Sequence, residues 1–221
     1  MMGYARDERL ALCGVLDDVG PREPTLCAGW ATLDLAAHLV IRERRPDAAV
    51  GIVGGPLAGY TNRVQRRLAE RMPYKRLVQT IRDGPPRLSP MRMAEEQVNL
   101  IEFFVHNEDV RRARSGWEPR AISQDLADAL WHRLRMARFV LRKVPVGVEF
   151  ARDDMPEPDK SSAPAPARVR ITAKARTPAV TVTGAPAELT LWAFGRTGAA
   201  RVRLDGSEDA VRALKNATWG A

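Results

Sequence analysis

Residues 100–110 read Leu-Ile-Glu-Phe-Phe-Val-His-Asn-Glu-Asp-Val, and the reading of this run decides the architecture. As a helix it is apolar on nearly every side, through Leu100, Ile101, Phe103, Phe104 and Val105, and a helix of that kind belongs in an interior. Glu102 and His106 are four residues apart, so they share a face one turn apart. Asp109 falls within about 60° of both on a wheel of roughly 100° per residue. A carboxylate in such surroundings needs a compensating charge. One candidate is an arginine. The other is a divalent metal, with Glu102 and His106 as two ligands and His38, from Asp34-Leu-Ala-Ala-His38-Leu-Val on a neighbouring helix, as the third. Three protein ligands and one open position is the pattern of a catalytic zinc site. The Glu-x-x-x-His spacing by itself leaves both candidates standing, and a satisfied core histidine is the commoner outcome.

Outward from this run, the first 145 residues read as helices. Tyr4 to Val19 places Leu10, Leu12, Val15, Leu16 and Val19 at helical spacings and stops at Gly20-Pro21. Thr32 opens a second helix that ends before Pro46. Thr61–Arg71 and Tyr74–Arg82 are shorter pieces split by Pro73. Ser89-Pro90 opens the long helix from Met91 to about Arg114, and Ser123 caps another from Gln124 to Lys143. Four long helices with short links predict a mainly α fold, a four-helix bundle over residues 1–145. Residues 146–168 are rich in proline and charge and read as a linker or exposed loop. Beyond it, Arg-Val-Arg-Ile-Thr-Ala-Lys and Ala179–Gly184 alternate in the strand period. Glu188–Phe194 is helical, Arg201–Gly206 holds a short strand, and Ser207 caps a last helix. Residues 169–221 are therefore expected as a small α+β domain.

Composition bounds the function. With 45% hydrophobic residues over 221 the chain is not disordered, and no uncharged apolar run approaches the roughly 20 residues of a membrane span. The opening MMGYARDERL lacks the apolar stretch of a secretory signal, which makes a cytoplasmic protein the expectation. Cys13 and Cys27 are too few for a disulfide framework and read as reduced thiols. The net charge is +8, and thirty of the 35 basic residues are arginine. That balance raises nucleic acid as a partner through Arg111, Arg112 and Arg114, and through the stripe Arg135, Arg138 and Arg142. Neither a helix-turn-helix signature nor a stacking platform accompanies them, so a solvated basic face is favoured over nucleic acid, or over a cradle for an anionic substrate.

Two stretches carry a family resemblance. Pro24-Thr-Leu-Cys-Ala-Gly-Trp30, followed by Asp34-Leu-Ala-Ala-His38-Leu, resembles the opening of the DinB-like, mycothiol-dependent maleylpyruvate isomerase superfamily. Glu102-Phe-Phe-Val-His106-Asn-Glu-Asp109-Val-Arg-Arg resembles the second metal-binding segment of that group. Arg42-Glu-Arg-Arg-Pro-Asp-Ala-Ala-Val-Gly51 looks like an uncharacterised actinobacterial branch of it, and Gly184–Gly198 is similar to the small C-terminal domain of the isomerases. The resemblance implies a DinB-like bundle holding one divalent ion, zinc first and nickel or manganese next, on His38, Glu102 and His106. It implies mycothiol as co-substrate, its thiol deprotonated at the ion and directed at an electrophile in a transferase or isomerase reaction. Asp109 is expected either to orient a histidine or to ligate a larger ion, Asp34 either to orient His38 or to serve as an exposed first-turn acid, and Arg196 is the candidate substrate-binding cation of the tail. The partners so implied are a small-molecule thiol and an electrophilic substrate, with no membrane and the chain as monomer or homodimer.

Three blander roles stand beside these. Arg196 fits an ordinary ion pair at a helix end, Cys27 fits core packing better than a fourth ligand position, and His132 fits a solvated or partly packed histidine. A non-catalytic metal or small-ligand binder is the alternative to an enzyme.

Overall fold

In the computed structural model the described residues are 3–52, 55–86, 95–154 and 169–219, with only the backbone described at 95–98. The expected start of the long helix at Ser89-Pro90 and most of the expected linker lie outside them. No described helix is long and apolar enough to cross a membrane. The chain is mainly helical and divides into two compact units, residues 1–119 and 120–221.

The first unit is built from α1 (Tyr4–Val19), α2 (Thr32–Arg44), the single turn α3 (Pro46–Ala49), α4 (Ala58–Arg71), α5 (Tyr74–Asp83) and α6 (Glu95–Arg111). Four of these share one apolar core. Leu12, Cys13 and Leu16 come from α1, Leu35, Leu39 and Val40 from α2, Leu77, Val78 and Ile81 from α5, and Phe103 and Val110 from α6. The buried stripe of α1 runs through Ala5, Arg9, Leu12 and Leu16. Leu10, expected inside, is 41% exposed. A charged side chain thus occupies a core position. The Arg9 guanidinium holds Glu43 of α2 through both oxygens, at 2.6 and 2.8 Å, and donates to the Ile81 carbonyl of α5 at 2.9 Å. It also lies 4.2 Å over the Phe103 ring of α6. One side chain therefore joins all four core helices. Gly84, at φ +74°, ends α5 in a conformation that favours glycine and sends its own N–H to the Ile81 carbonyl, beside the arginine.

The second unit begins earlier than the expected boundary near residue 145. Gln124–Arg133 (α7) is capped by Ser123 as expected, but the predicted helix to Lys143 breaks into 3₁₀ turns around a short α8 (Ala137–Val140). The apolar face of this segment, Trp131, Leu134, Ala137 and Leu141, belongs to the core of the second unit and not to the helical core of the first. The first unit's core instead draws on α5, through Leu77, Val78 and Ile81. The sheet adds a second correction. Gly147–Arg152, placed by the sequence in the linker, is β1, an inner strand of the order β2-β1-β3-β4. It pairs antiparallel with β2 (Arg170–Lys174) and parallel with β3 (Ala179–Gly184), with Phe150 opposite Val182. β4 (Arg203–Asp205) closes the far edge. Val148 and Phe150 point into the core with Val180, Val182, Leu189 and Trp192. Two helices complete the unit, α9 (Pro186–Ala193) and α10 (Glu208–Lys215), the latter capped by Ser207.

Breaking the Arg9–Glu43 pair leaves an uncompensated charge in the core. Arg9→Met alone is expected to cost about 3–5 kcal/mol, and Glu43→Leu on top of it to recover most of that loss. Urea denaturation of the parent, the single and the double variants measures both steps.

Candidate metal centre

α2 and α6 bring the predicted ligands together. His38 lies on the buried face of α2, in phase with Leu35 and Ile41. Glu102 and His106 project from α6, one turn apart. His38 Nε2 lies 3.3 Å and His106 Nε2 3.1 Å from Glu102 Oε1, and the two imidazoles meet edge-on with ring centroids 5.4 Å apart. The three ligand atoms all fall within 4.8 Å of one another, a spacing that could hold a metal ion. Both histidines are 7% exposed, whereas the Glu102 side chain keeps 24% of its surface accessible.

Asp109 stands where an orienting carboxylate is needed. Its Oδ2 is 2.8 Å from His106 Nδ1, and the residue is fully buried. The second ring nitrogen of a metal-bound histidine ordinarily donates to such a group, which fixes the tautomer and the ring's direction. Cys27 also donates to Asp109 Oδ2, at 3.3 Å. The loop that carries it is tied down by its own hydrogen bonds: Thr25 Oγ1 accepts from the Cys27 N–H and donates to the Trp30 carbonyl. Leu26 N–H donates to the Asp109 carbonyl at 3.0 Å, and the Trp30 ring packs 5.0 Å from His38. The Cys-Ala-Gly-Trp segment therefore reaches both histidines. Reading Cys27 as core packing alone missed its bond to Asp109.

Charge balance follows from the same contacts. Burial pushes His38 below the ordinary histidine value, against the pull of Glu102. For Glu102 burial works upward, but its bonds to His106 and His38 and the nearby Arg42 outweigh it and hold the carboxyl well below its usual range. Burial would also depress His106, yet Asp109, Cys27 and Glu102 together keep it well above the ordinary value. In the ion-free site these contacts favour the charged forms of His106 and Glu102, and a metal ion would compete with a proton at His106 Nε2.

Arg42 is a residue the sequence reading passed over. Its Nε is 3.3 Å from Glu102 Oε1, and its Nη1 donates to Asn99 Oδ1 at 2.5 Å. Both compensations considered for Glu102, an arginine and a metal triad, are thus available at one carboxylate. The signal was in the spacing, since Arg42 follows His38 by four residues and shares its face.

The remaining candidates go elsewhere. Asp34 caps its own helix by accepting from Ala31 N–H at 3.0 Å, which is the first-turn role and not a contact with His38. Arg196, in the second unit, donates to the Phe194 carbonyl at 2.6 Å. His132 is exposed, with Nδ1 2.6 Å from the Asp128 carbonyl. Cys13 is buried, and burial pushes its thiol up to about 11. Within the basic run after the site, Arg112 is itself buried, paired with Glu108 at 2.6 Å and stacked over Trp117. It therefore offers nothing to a nucleic-acid backbone.

Comparison with protein-family models, with curated proteins and with solved structures finds no match to this chain. Asp109→Asn is expected to weaken divalent-ion binding about 10- to 100-fold while leaving the number of ions per chain unchanged. Competition of nickel(II) against a chromophoric chelator measures the change.

Proposed function

We propose that this chain is a divalent-metal-binding protein of the DinB-like, mycothiol-dependent maleylpyruvate isomerase type, acting as a thiol-using transferase or isomerase. The observation that carries the reading is the meeting of His38 with Glu102 and His106 across two helices, the two histidines contributing Nε2 and Asp109 occupying the far nitrogen of His106. That donor set, two imidazoles and one carboxylate, suits zinc, and it leaves a coordination position open for a further ligand.

In this reading the ion supplies Lewis-acid stabilisation of a bound thiolate, so that a small-molecule thiol such as mycothiol reacts as a nucleophile at neutral pH. The protein's own groups do the rest. Asp109 keeps the His106 ring turned toward the ion. Arg42 neutralises part of the negative charge of Glu102 and fixes the carboxylate's position. The exposed edge of Glu102 marks the side from which a thiol reaches the site. Catalysis proper would require an electrophile, and a panel of epoxides, quinones and unsaturated diacids samples the chemistry open to an activated thiol.

A second reading rests on Arg42. Because it stands 3.3 Å from Glu102, the cluster could be a buried polar network that needs no ion, or a binding site that never turns over. Mass spectrometry of untagged protein, purified without chelating resin, separates these. The metal reading expects about one ion per chain. It also expects nickel(II) binding to fall roughly tenfold or more in His38→Ala, Glu102→Ala and His106→Ala, since losses outside the ligand set already cost 10- to 100-fold. Absence of any bound zinc, nickel or manganese in the parent, even after each is added, would leave the arginine network as the cluster's only role. Metal-loaded protein that consumes no thiol with any electrophile of the panel would be a binder.

A further inference from the structure

His106 has two ring nitrogens, and a different set of donors faces each. On the Nε2 side stand His38 and Glu102. On the Nδ1 side stand Asp109 Oδ2, at 2.8 Å, and the Cys27 thiol, which lies 3.3 Å from that same oxygen. Cys27 Sγ, His106 and Asp109 form a second group whose ligand atoms all lie within 4.8 Å of one another. Donors around a zinc-sized ion stand about 3.3–3.6 Å apart, given bonds of about 2.0–2.3 Å. Two of the pairs in the second group stand close to that spacing, at 2.8 Å for His106 Nδ1 to Asp109 Oδ2 and 3.3 Å for Cys27 Sγ to the same oxygen.

We propose that Cys27, Asp109 and His106 Nδ1 form a second metal position, selective for soft, thiophilic divalent ions, that competes with the first because filling both at once would require His106 as a fully deprotonated imidazolate. The first position rests on the metal reading above; the second does not require it. The two arrangements are mirror images in their proton accounting. With an ion on Nε2, the one ring proton stays on Nδ1 and is donated to Asp109. With an ion on Nδ1, the ring proton stays on Nε2 and is donated to Glu102, 3.1 Å away. The Cys27 thiol proton and the His106 Nδ1 proton both leave to solvent as the ion binds. Each position's carboxylate ligand is thus the other's orienting group, so neither ion leaves a buried imidazole nitrogen unpaired. Ligand type sorts the ions: two imidazoles and a carboxylate for nickel or zinc on one side, a thiolate among the donors for a softer ion on the other. Cys27 is partly accessible and Cys13 is buried, so a thiophilic ion entering from solvent meets Cys27.

The test uses cadmium(II) and nickel(II) on ion-free parent, Cys27→Ser and His38→Ala. Cadmium is expected to raise thiolate-to-cadmium charge-transfer absorption in the near ultraviolet of the parent and of His38→Ala, but not of Cys27→Ser. Nickel is expected to bind the parent and Cys27→Ser alike and to be held at least tenfold more weakly by His38→Ala. Saturating cadmium should expel nickel, so that no sample carries more than one ion per chain at this site. In the parent alone, cadmium should slow alkylation of Cys27 by iodoacetamide at least tenfold, read by peptide mass spectrometry, and this needs no variant to fold. The proposal is overturned if the parent shows no charge-transfer band, if the band survives in Cys27→Ser, if nickel and cadmium are held together, or if Cys27→Ser weakens nickel as much as cadmium. Nickel binding that ignores His38→Ala would sink the first position alone, while the cadmium band still decides the second.

Discussion

The ion pair between Arg9 and Glu43 is the constraint around which the first unit is arranged. Both side chains sit in the core, 2% accessible, where leaving one of the charges unpaired would cost a large part of the unit's margin of stability. Their pairing therefore fixes more than two residues. The guanidinium uses its remaining donor capacity on the Ile81 carbonyl, which stays available because α5 ends there at Gly84. Its flat face covers Phe103. A helix that slid by one turn would break one of these bonds inside a medium that offers no replacement. Apolar packing supplies most of the drive to fold, but it tolerates many registers, and the ion pair tolerates one.

The same constraint extends to the candidate metal centre. Glu43 Oε1 also accepts, at 3.5 Å, from Asn99 Nδ2 of α6. Asn99 in turn accepts from Arg42, and Arg42 pairs with Glu102. Glu102 bonds both histidines, His106 bonds Asp109, and Asp109 receives Cys27. A continuous line of polar side chains thus runs from α1 through α2 and α6 to the loop before α2. On α6 it follows one face, at residues 99, 102, 106 and 109, spaced by three, four and three. Arginine alternates with carboxylate at its closed end and imidazole with carboxylate at its other, so charge is compensated at every link. Placing a metal site at the imidazole end would put the exchangeable groups next to the partly accessible Glu102 and Cys27. Arg9, permanently charged, lies at the sealed end.

What the sequence disclosed follows from where polar groups stood in apolar surroundings. Glu102, His106 and Asp109 were legible because the run Leu100–Val105 is otherwise apolar, so that Glu102 stands out in it with His106 and Asp109 following on the same face. Arg9 was equally out of place, in phase with Leu12 and Leu16, but α1 carries so many charges that its buried stripe was read one position off. The bundle's membership was misread for a related reason. Tyr74–Asp83 is short and follows Pro73, whereas 124–143 is long, and length favoured the wrong one. Both are amphipathic, and a one-dimensional pattern does not say which core an apolar face joins. β1 was hidden by its setting. Gly-Val-Glu-Phe-Ala-Arg alternates properly, but it is brief and leads into a proline-rich stretch. Only its partners, β2 and β3 (18 and 27 residues further on at their nearest ends), make it an inner strand.

Arg42 bears on how such a site survives without its ion. A carboxylate shared by two buried histidines would be unstable as a bare anion, and a protein that folded only with metal would depend on supply during synthesis. Here Glu102 already has a permanent cation at 3.3 Å and the His106 ring at 3.1 Å, so the ion-free state is compensated. The ion then competes with a proton on His106 and not with an empty, repulsive cage. Compensation of this kind costs affinity, because Arg42 lowers the negative potential that draws a cation in. It gains a preformed geometry, since both histidines and the carboxylate are held in place before any ion arrives. If the cluster takes up an ion, its compensation without one would suit an ion exchanged in and out, and Arg42 would be the feature that separates it from a structural metal site.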